Sequence, residues 1–272
     1  MTIDRQSRPA TSAGPASFPA HGTANLFAAF GGLLLLAFAA SPARAECGDD
    51  PAPSVDWSEC QKVRLMFGSA DLSNGDFVQT TFTSTDLSGA NLSGADMSLS
   101  ELTNASFAGA HLTGSVLEKA VATRASFESA DLSGANLSGA EFSRSNFQRA
   151  NLTGADLTSS EMNRSDFTEA DLTGAKMAKA ELARITLKSA VISGVTFSYS
   201  NLARADLRGV DLGDADFTGS YLFLTQVEGA DLSKTKGLTA EQLAIACGSA
   251  DTQLPAGLAP PKGWPCPDYG AE

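Results

Sequence analysis

Histidine is almost missing from this chain of 272 residues, which has two. His21 lies in an N-terminal stretch that reads as a removable leader, so His111 alone remains, at an ordinary polar position between Asn91 and Asp131. No nucleophile–base pair, metal-ligand spacing or phosphate-cradling glycine loop can be assembled, so the chain reads as a non-enzyme with no catalytic residue, cofactor or metal. Positive charge is also scarce: 19 Lys and Arg stand against 31 Asp and Glu, a net charge of −12 that becomes −14 without Arg5, Arg8, Arg44 and Asp4. That balance argues against nucleic acid or an anionic membrane surface as a partner.

Long apolar runs are wanting too. Leu26 to Ala40 is apolar throughout but falls short of the ~20 residues that a membrane-spanning helix needs. It has the size of a signal-peptide core and ends at Ala43-Arg44-Ala45, a small-x-small site that predicts cleavage before Glu46. Residues 1–45 are therefore expected to be a signal peptide and the protein to be exported, periplasmic or secreted. A leader retained as an anchor is the other reading of the same stretch.

What the chain has in abundance is a rhythm. Every fifth residue from Phe67 to Leu232 is large and apolar, Ala122 excepted. From Ala70 to Ala230, the residue two places before each centre is Ala, Ser, Thr or Gly, with Ile185, Val195 and Val210 as the bulkier exceptions. A five-residue period fits neither the 3.6-residue helix nor the two-residue strand, so each unit must turn a corner and point its centre inward. Repetition at a fixed period marks a solenoid.

A longer period sets the number of sides. Arg124, Arg144, Arg164, Arg184 and Arg204 recur every twenty residues, as do Phe107, Phe127, Phe147 and Phe167, and the glycines at 94, 114, 134, 154, 174 and 194. Twenty residues make four units, hence four sides to a coil. The Phe column then faces Leu117, Leu137 and Leu157 across the coil, large against medium, which fills a fixed cross-section without voids.

Units such as Ala90-Asn91-Leu92-Ser93-Gly94 resemble the A(D/N)LXX pattern of the pentapeptide-repeat family, from Phe67 to about Lys234. The resemblance implies an all-β solenoid, a right-handed quadrilateral β-helix with four pentapeptides per coil. A little over eight coils at ~4.8 Å make a solenoid roughly 40 Å long, whose ends need caps. The expected organisation is a signal peptide over 1–45, an N-terminal cap over 46–66, the β-helix over 67–234, and over 235–272 a short helix with a disulfide-closed loop. Val55-Asp56-Trp57-Ser58-Glu59-Cys60 and the stretch from Leu254-Pro255 to Trp264-Pro265-Cys266 are similar to the flanks of secreted bacterial members.

Cys47 and Cys60 precede the coils, while Cys247 and Cys266 follow them. Since a disulfide needs Cα atoms within about 7 Å, pairing across the length of the solenoid is excluded. Cys47 with Cys60 and Cys247 with Cys266 remain, two free buried pairs being the alternative. Thr239 and Gln242 have capping-box spacing and predict a helix through about Ala246.

Three surface rows bear on function. Aspartates sit one place before many centres, among them Asp71, Asp96, Asp156 and Asp216; in the fluoroquinolone-resistance members such charge mimics DNA and engages gyrase, but an Asp there also caps turn N–H groups. Ser73, Ser93, Thr113, Ser133, Thr153, Thr173 and Ser193 form a hydroxyl row suited to exposed turns. The Arg column alternates with Glu141, Glu161 and Glu181 and reads as a surface ion-pair network; its sharper reading is a basic groove for an anionic chain such as an acidic glycan. Arg124 and Arg204 lack a Glu and are the better candidates for an outside contact. The sequence thus predicts an exported structural or protein-interaction rod with an unknown protein partner. It is expected to be monomeric, with end-to-end pairing left open. The competing readings are a cytoplasmic DNA mimic binding gyrase or topoisomerase, and a glycan- or ice-binding face.

Overall fold

The computed structural model describes residues 47–266, and the apolar run and its cleavage motif lie outside them. The described chain winds as a four-sided solenoid in which the residue before each centre forms a parallel bridge with the residue twenty positions on, as Asn91 does with His111 and His111 with Asp131. Each side is therefore a single rung, and each corner is a turn.

The unit is dictated by where its five backbone N–H groups go. Around Leu92, the Asn91 N–H donates back to the Ala70 carbonyl (2.9 Å) and the Leu92 N–H forward to the His111 carbonyl (2.7 Å). The Gly94 N–H donates to the Thr113 carbonyl, and the Ala95 N–H closes the corner onto the Leu92 carbonyl, both at 3.0 Å. One donor is left, the N–H of Ser93, and it finds the Asn91 side-chain oxygen at 3.2 Å. The same bond recurs from Ser133 to Asp131, Thr158 to Asp156 and Thr173 to Asp171. Asp or Asn before the centre is thus the side chain that completes the unit. The fourth donor explains the corner glycines: the second residue after each centre has φ near +60°, as at Gly94 and Gly154. Arg, Ser, Lys and even Tyr199 take the same conformation elsewhere, held there by the ladder.

Inside, the centres and the small residues two places earlier are buried almost without exception. Phe107, Phe127, Phe147 and Phe167 form one parallel stack with ring centroids 4.8–4.9 Å apart, the spacing of the ladder itself. Phe142 meets Phe127 and Phe147 edge-on at 5.5 Å.

Phe67 is not the first centre. Asp56, Gln61 and Met66 bridge to the next coil, which puts Trp57 and Lys62 at centre positions and Cys60 among the inward small residues. The segment 46–66 assigned to the cap therefore carries a coil of its own, hidden in the sequence because a lysine holds a centre. Lys62 Nζ sits over the Trp57 ring, 3.6 Å from its centroid, and donates to the Cys47 carbonyl at 2.7 Å.

At the other end the chain leaves the ladder after Lys236 for α1 (Ala240–Ala244), N-capped by Thr239 in a capping box with Gln242. The helix stops short of the expected Ala246 because the chain rejoins the ladder: Cys247 bridges to Gln226, and Gln253 to Asp231. Gln242 also donates to the Phe217 and Ser220 carbonyls, both at 2.9 Å, and so covers the Ser220 acceptor that the backbone of a further coil would otherwise take. The disulfides Cys47–Cys60 and Cys247–Cys266 close the two ends, with Cα separations of 5.5 and 5.3 Å, as local pairing requires.

One rung is missing. Val191 and Asp211 do not bridge, and the bond expected from the Ile192 N–H to the Asp211 carbonyl is not formed. Two departures from the repeat coincide there: Val191 cannot cap its turn, and the corner glycine stands one place early, so that Gly213 takes the positive φ and Asp214 occupies the glycine column. A shallow groove of about 490 Å³ opens between Ala190–Ser193 and Asp211–Asp214. Restoring the corner with Gly213→Ser and Asp214→Gly together is expected to close it and raise the unfolding free energy by about 1–2 kcal/mol, from regained backbone hydrogen bonds. The exposed Lys236–Asp214 pair lost in exchange is worth less. Urea unfolding with amide exchange at Ile192 checks this; no gain in protection at Ile192 would refute it.

Candidate functional site

The five arginines occupy one corner of five successive coils. All take the left-handed conformation, with φ from 60° to 64°, and all are exposed. Their backbone N–H groups continue the ladder, Arg124 to the Ser143 carbonyl and onward to Arg204, which donates to the Phe223 carbonyl at 2.8 Å. Neighbouring arginines are thus one coil apart, ~4.8 Å along the solenoid.

The expected ion-pair network is not formed. Among the described residues, none of the five guanidiniums has a carboxylate within 4.0 Å or a side-chain hydrogen bond. Ion pairs form elsewhere, as Lys176–Asp156, Arg149–Glu128 and Arg208–Asp206. The reason lies in the corner. Glu141, Glu161 and Glu181 project from the flat of the side before each centre, whereas each Arg leaves the chain at the left-handed residue where it turns away. Glu181 accepts instead from Asn201 Nδ2 (2.8 Å). Among the described residues the column is therefore a line of positive charge without ion-pair contacts, on an acidic protein.

The acidic row is engaged internally. Asp216 accepts from the Thr218 hydroxyl (2.6 Å) and N–H (2.8 Å) and from the Ser198 hydroxyl (2.8 Å). Chiefly the Thr218 hydroxyl holds its carboxyl below the usual 3.8, desolvation opposing, with the Thr218 N–H, Ser198 and Lys236 adding to the lowering. The hydroxyl row is engaged likewise: Ser93, Thr153 and Thr173 donate to Asn91, Asn151 and Asp171, and Thr113 to Asp131. Among the described residues, no group of three or more His, Cys, Asp or Glu is placed to hold a metal ion.

Sequence reasoning missed an aromatic patch at the C-terminal end of the Arg face. Tyr221 and Phe223 flank the centre Leu222 and point outward, their rings 11° from parallel with centroids 6.2 Å apart. Tyr199 lies one coil back, its ring against Gly219 in a space that a Cβ there would enter at 2.7 Å. The available signal was two aromatics at outward positions around one centre, where the rest of the column is mostly polar or small.

A four-sided solenoid wound from five-residue units defines a class of repeat protein. Family models agree on which one: that described as pentapeptide repeats matches residues 67–98, 100–139 and 200–236, and that described as a pentapeptide repeat region matches 120–197. The chain belongs to the pentapeptide repeat family, and its fold is the right-handed quadrilateral β-helix. No curated protein matches it in sequence. Similar solved structures include HetL, a pentapeptide repeat protein involved in heterocyst differentiation regulation from the cyanobacterium Nostoc, at 24% identity over 75% of this chain and 91% of HetL, with a TM-score of 0.31. QnrB1, a plasmid-mediated fluoroquinolone resistance protein, is 16% identical over 72% of this chain and 90% of its own, with a TM-score of 0.36. A pentapeptide repeat protein of the Arabidopsis thaliana thylakoid lumen is 29% identical over 43% of this chain and 77% of its own, with a TM-score of 0.29.

Proposed function

We propose that the protein is an exported, non-enzymatic rod that acts by contact through one edge of its solenoid. The Arg column, without ion-pair contacts, carries this reading. Five like charges at ladder spacing repel one another, and among the described residues no carboxylate lies within 4.0 Å of them, so an external counter-charge relieves the repulsion. Two disulfides fit an oxidising compartment, as does the apolar run followed by a small-x-small motif. DNA mimicry is the weaker reading, because the carboxylates it would present are occupied in their own turns.

The test is the unreduced intact mass of the protein from fractions of its host cell. A species outside the cytoplasm that begins at Glu46 and is lighter by the hydrogens of two disulfides is expected. A full-length, reduced species in the cytoplasm would overturn the export reading and make gyrase inhibition the next assay.

A further inference from the structure

We propose that the edge from Arg124 to Arg204, ending on Tyr221 and Phe223, is a binding track for a linear acidic polysaccharide. The inference rests on the reading of the Arg column as the contact edge and names what it contacts.

Pitch is the first argument. The guanidiniums repeat with the coils, every ~4.8 Å. An extended acidic peptide presents same-face carboxylates every ~6.6 Å, two residues of strand, and falls out of register within two coils. Each strand of B-DNA carries one phosphate per ~3.4 Å of helix axis, which does not match the coil spacing. A two-fold chain of uronic acid rings carries one carboxylate per ring on alternating sides, so carboxylates on one side recur about every two coils and can meet alternate arginines such as Arg124, Arg164 and Arg204. Guanidinium is the cation suited to this, since its planar fork takes a carboxylate with two hydrogen bonds.

The second argument is what borders the column. The row beside it runs Thr123, Ser143, Asn163, Ala183, Ala203, Phe223, from hydroxyl and amide through two small residues to an aromatic ring. Hydroxyls suit sugar hydroxyls, and the small residues leave room for a ring to lie against the face. Tyr221 and Phe223 then offer exposed π-faces to the C–H face of a pyranose, whose weakly positive hydrogens favour the negative face of the ring. An acidic peptide has no use for that surface. Glu141, Glu161 and Glu181 flank the row on its far side and keep a polyanion to the Arg corner. At the last coils Asn201 and then Tyr221 replace Glu in that column, so the repulsive border ends where the aromatic surface begins.

The experiment is fluorescence anisotropy with the purified protein and labelled oligogalacturonate at low and high salt, with a neutral glucan oligosaccharide and poly-L-glutamate as competitors. The wild-type protein is expected to bind oligogalacturonate with an affinity that falls as salt rises, and poly-L-glutamate is expected to compete poorly. Arg124→Gln, Arg164→Gln and Arg204→Gln combined should cost at least tenfold in affinity and flatten the salt dependence. Tyr221→Ser with Phe223→Ser should cost about tenfold with the salt dependence kept. All these residues are exposed, so Tm should hold; if the triple variant's Tm falls, the single Arg204→Gln, with its smaller loss, carries the test. Absence of oligogalacturonate binding, unchanged binding by the Arg variants, or equal competition by poly-L-glutamate would overturn the proposal. The intact-mass experiment reads export separately, so either failure is recognised for what it is.

Discussion

Replacing Phe147 with alanine is expected to lower the unfolding free energy by about 3–5 kcal/mol, a large share of what a domain of this size possesses. The ring lies in a continuous parallel stack, with Phe127 and Phe167 each at 4.9 Å and Phe142 edge-on at 5.5 Å, and none of it reaches solvent. A globular core relieves such a cavity by shifting its elements together. Here the backbone is pinned by rungs one coil above and below and by its own corner: the Phe147 N–H is fixed to the Asp166 carbonyl, the Asn146 N–H to the Ala125 carbonyl, and the Phe147 carbonyl to the Ala150 N–H. Little collapse is open to it, so the loss should fall at the upper end of the range. Because coils touch only their neighbours, amide protection should weaken most in the coils of Phe127 and Phe167. Chemical denaturation with site-resolved exchange measures both, and a loss below 1 kcal/mol would show that the stack is not what holds these coils.

The fold was legible in the sequence because one interaction is repeated many times. Leu92, Ser93 and Gly94 each have a role fixed by the backbone bonds of their own unit, and the same roles return five and twenty residues later. The cysteine pairing was legible for the same reason, since a known coil spacing sets distances. Lys62 shows where that logic stops. By composition it ends the pattern at Phe67; in the structure it fills a centre because it stands near the end of the solenoid, where a long stem can be buried while the ammonium lies over Trp57 and reaches the Cys47 carbonyl. Burial lowers its pKa from 10.5, with Asp49 opposing, which is the cost of a cation in a core position.

The candidate surface was legible only in outline. The Arg column is plain in the sequence, but three residues of spacing from Glu141 to Arg144 suggest a pair to a reader who cannot see the left-handed corner between them. Whether a charge on a solenoid is neutralised depends on corner geometry, and that is a property of the coil as a whole. Tyr221 and Phe223 escaped notice because each alone is an ordinary exception to a polar column; only their shared face makes them a surface. Asp214 is similar. It breaks the glycine column by one residue, and the consequence, a missing rung between Val191 and Asp211, appears one coil away.

Gly237→Ala is expected to destabilise the C-terminal end by about 3 kcal/mol, while Gly154→Ala should cost about 1 kcal/mol. Both glycines have positive φ, 70° at Gly237 and 67° at Gly154, so backbone strain does not distinguish them. A Cβ on Gly154 would meet nothing within 4 Å, whereas on Gly237 it would collide with Thr218 Oγ1 and stand 2.6 Å from both Thr218 N and Cα. The hydroxyl can rotate away; the backbone of Thr218 cannot, because its N–H is bonded to Asp216 and Phe217 donates to the Lys236 carbonyl. Gly237 stands where the next centre would fall, twenty residues after Phe217, and its lack of a side chain lets the chain cross that position and turn out toward α1. Displacing it moves Gln242 off the Phe217 and Ser220 carbonyls and loosens Leu243 from the core. The damage should therefore show as early protease cutting between Gly237 and Cys247, with the Phe stack still protected. Equal stability losses for the two alanine variants would mean that the junction tolerates a shift of the Thr218 backbone, and that the helix is held by Gln242 and the Cys247–Cys266 bridge rather than by the close approach at Gly237.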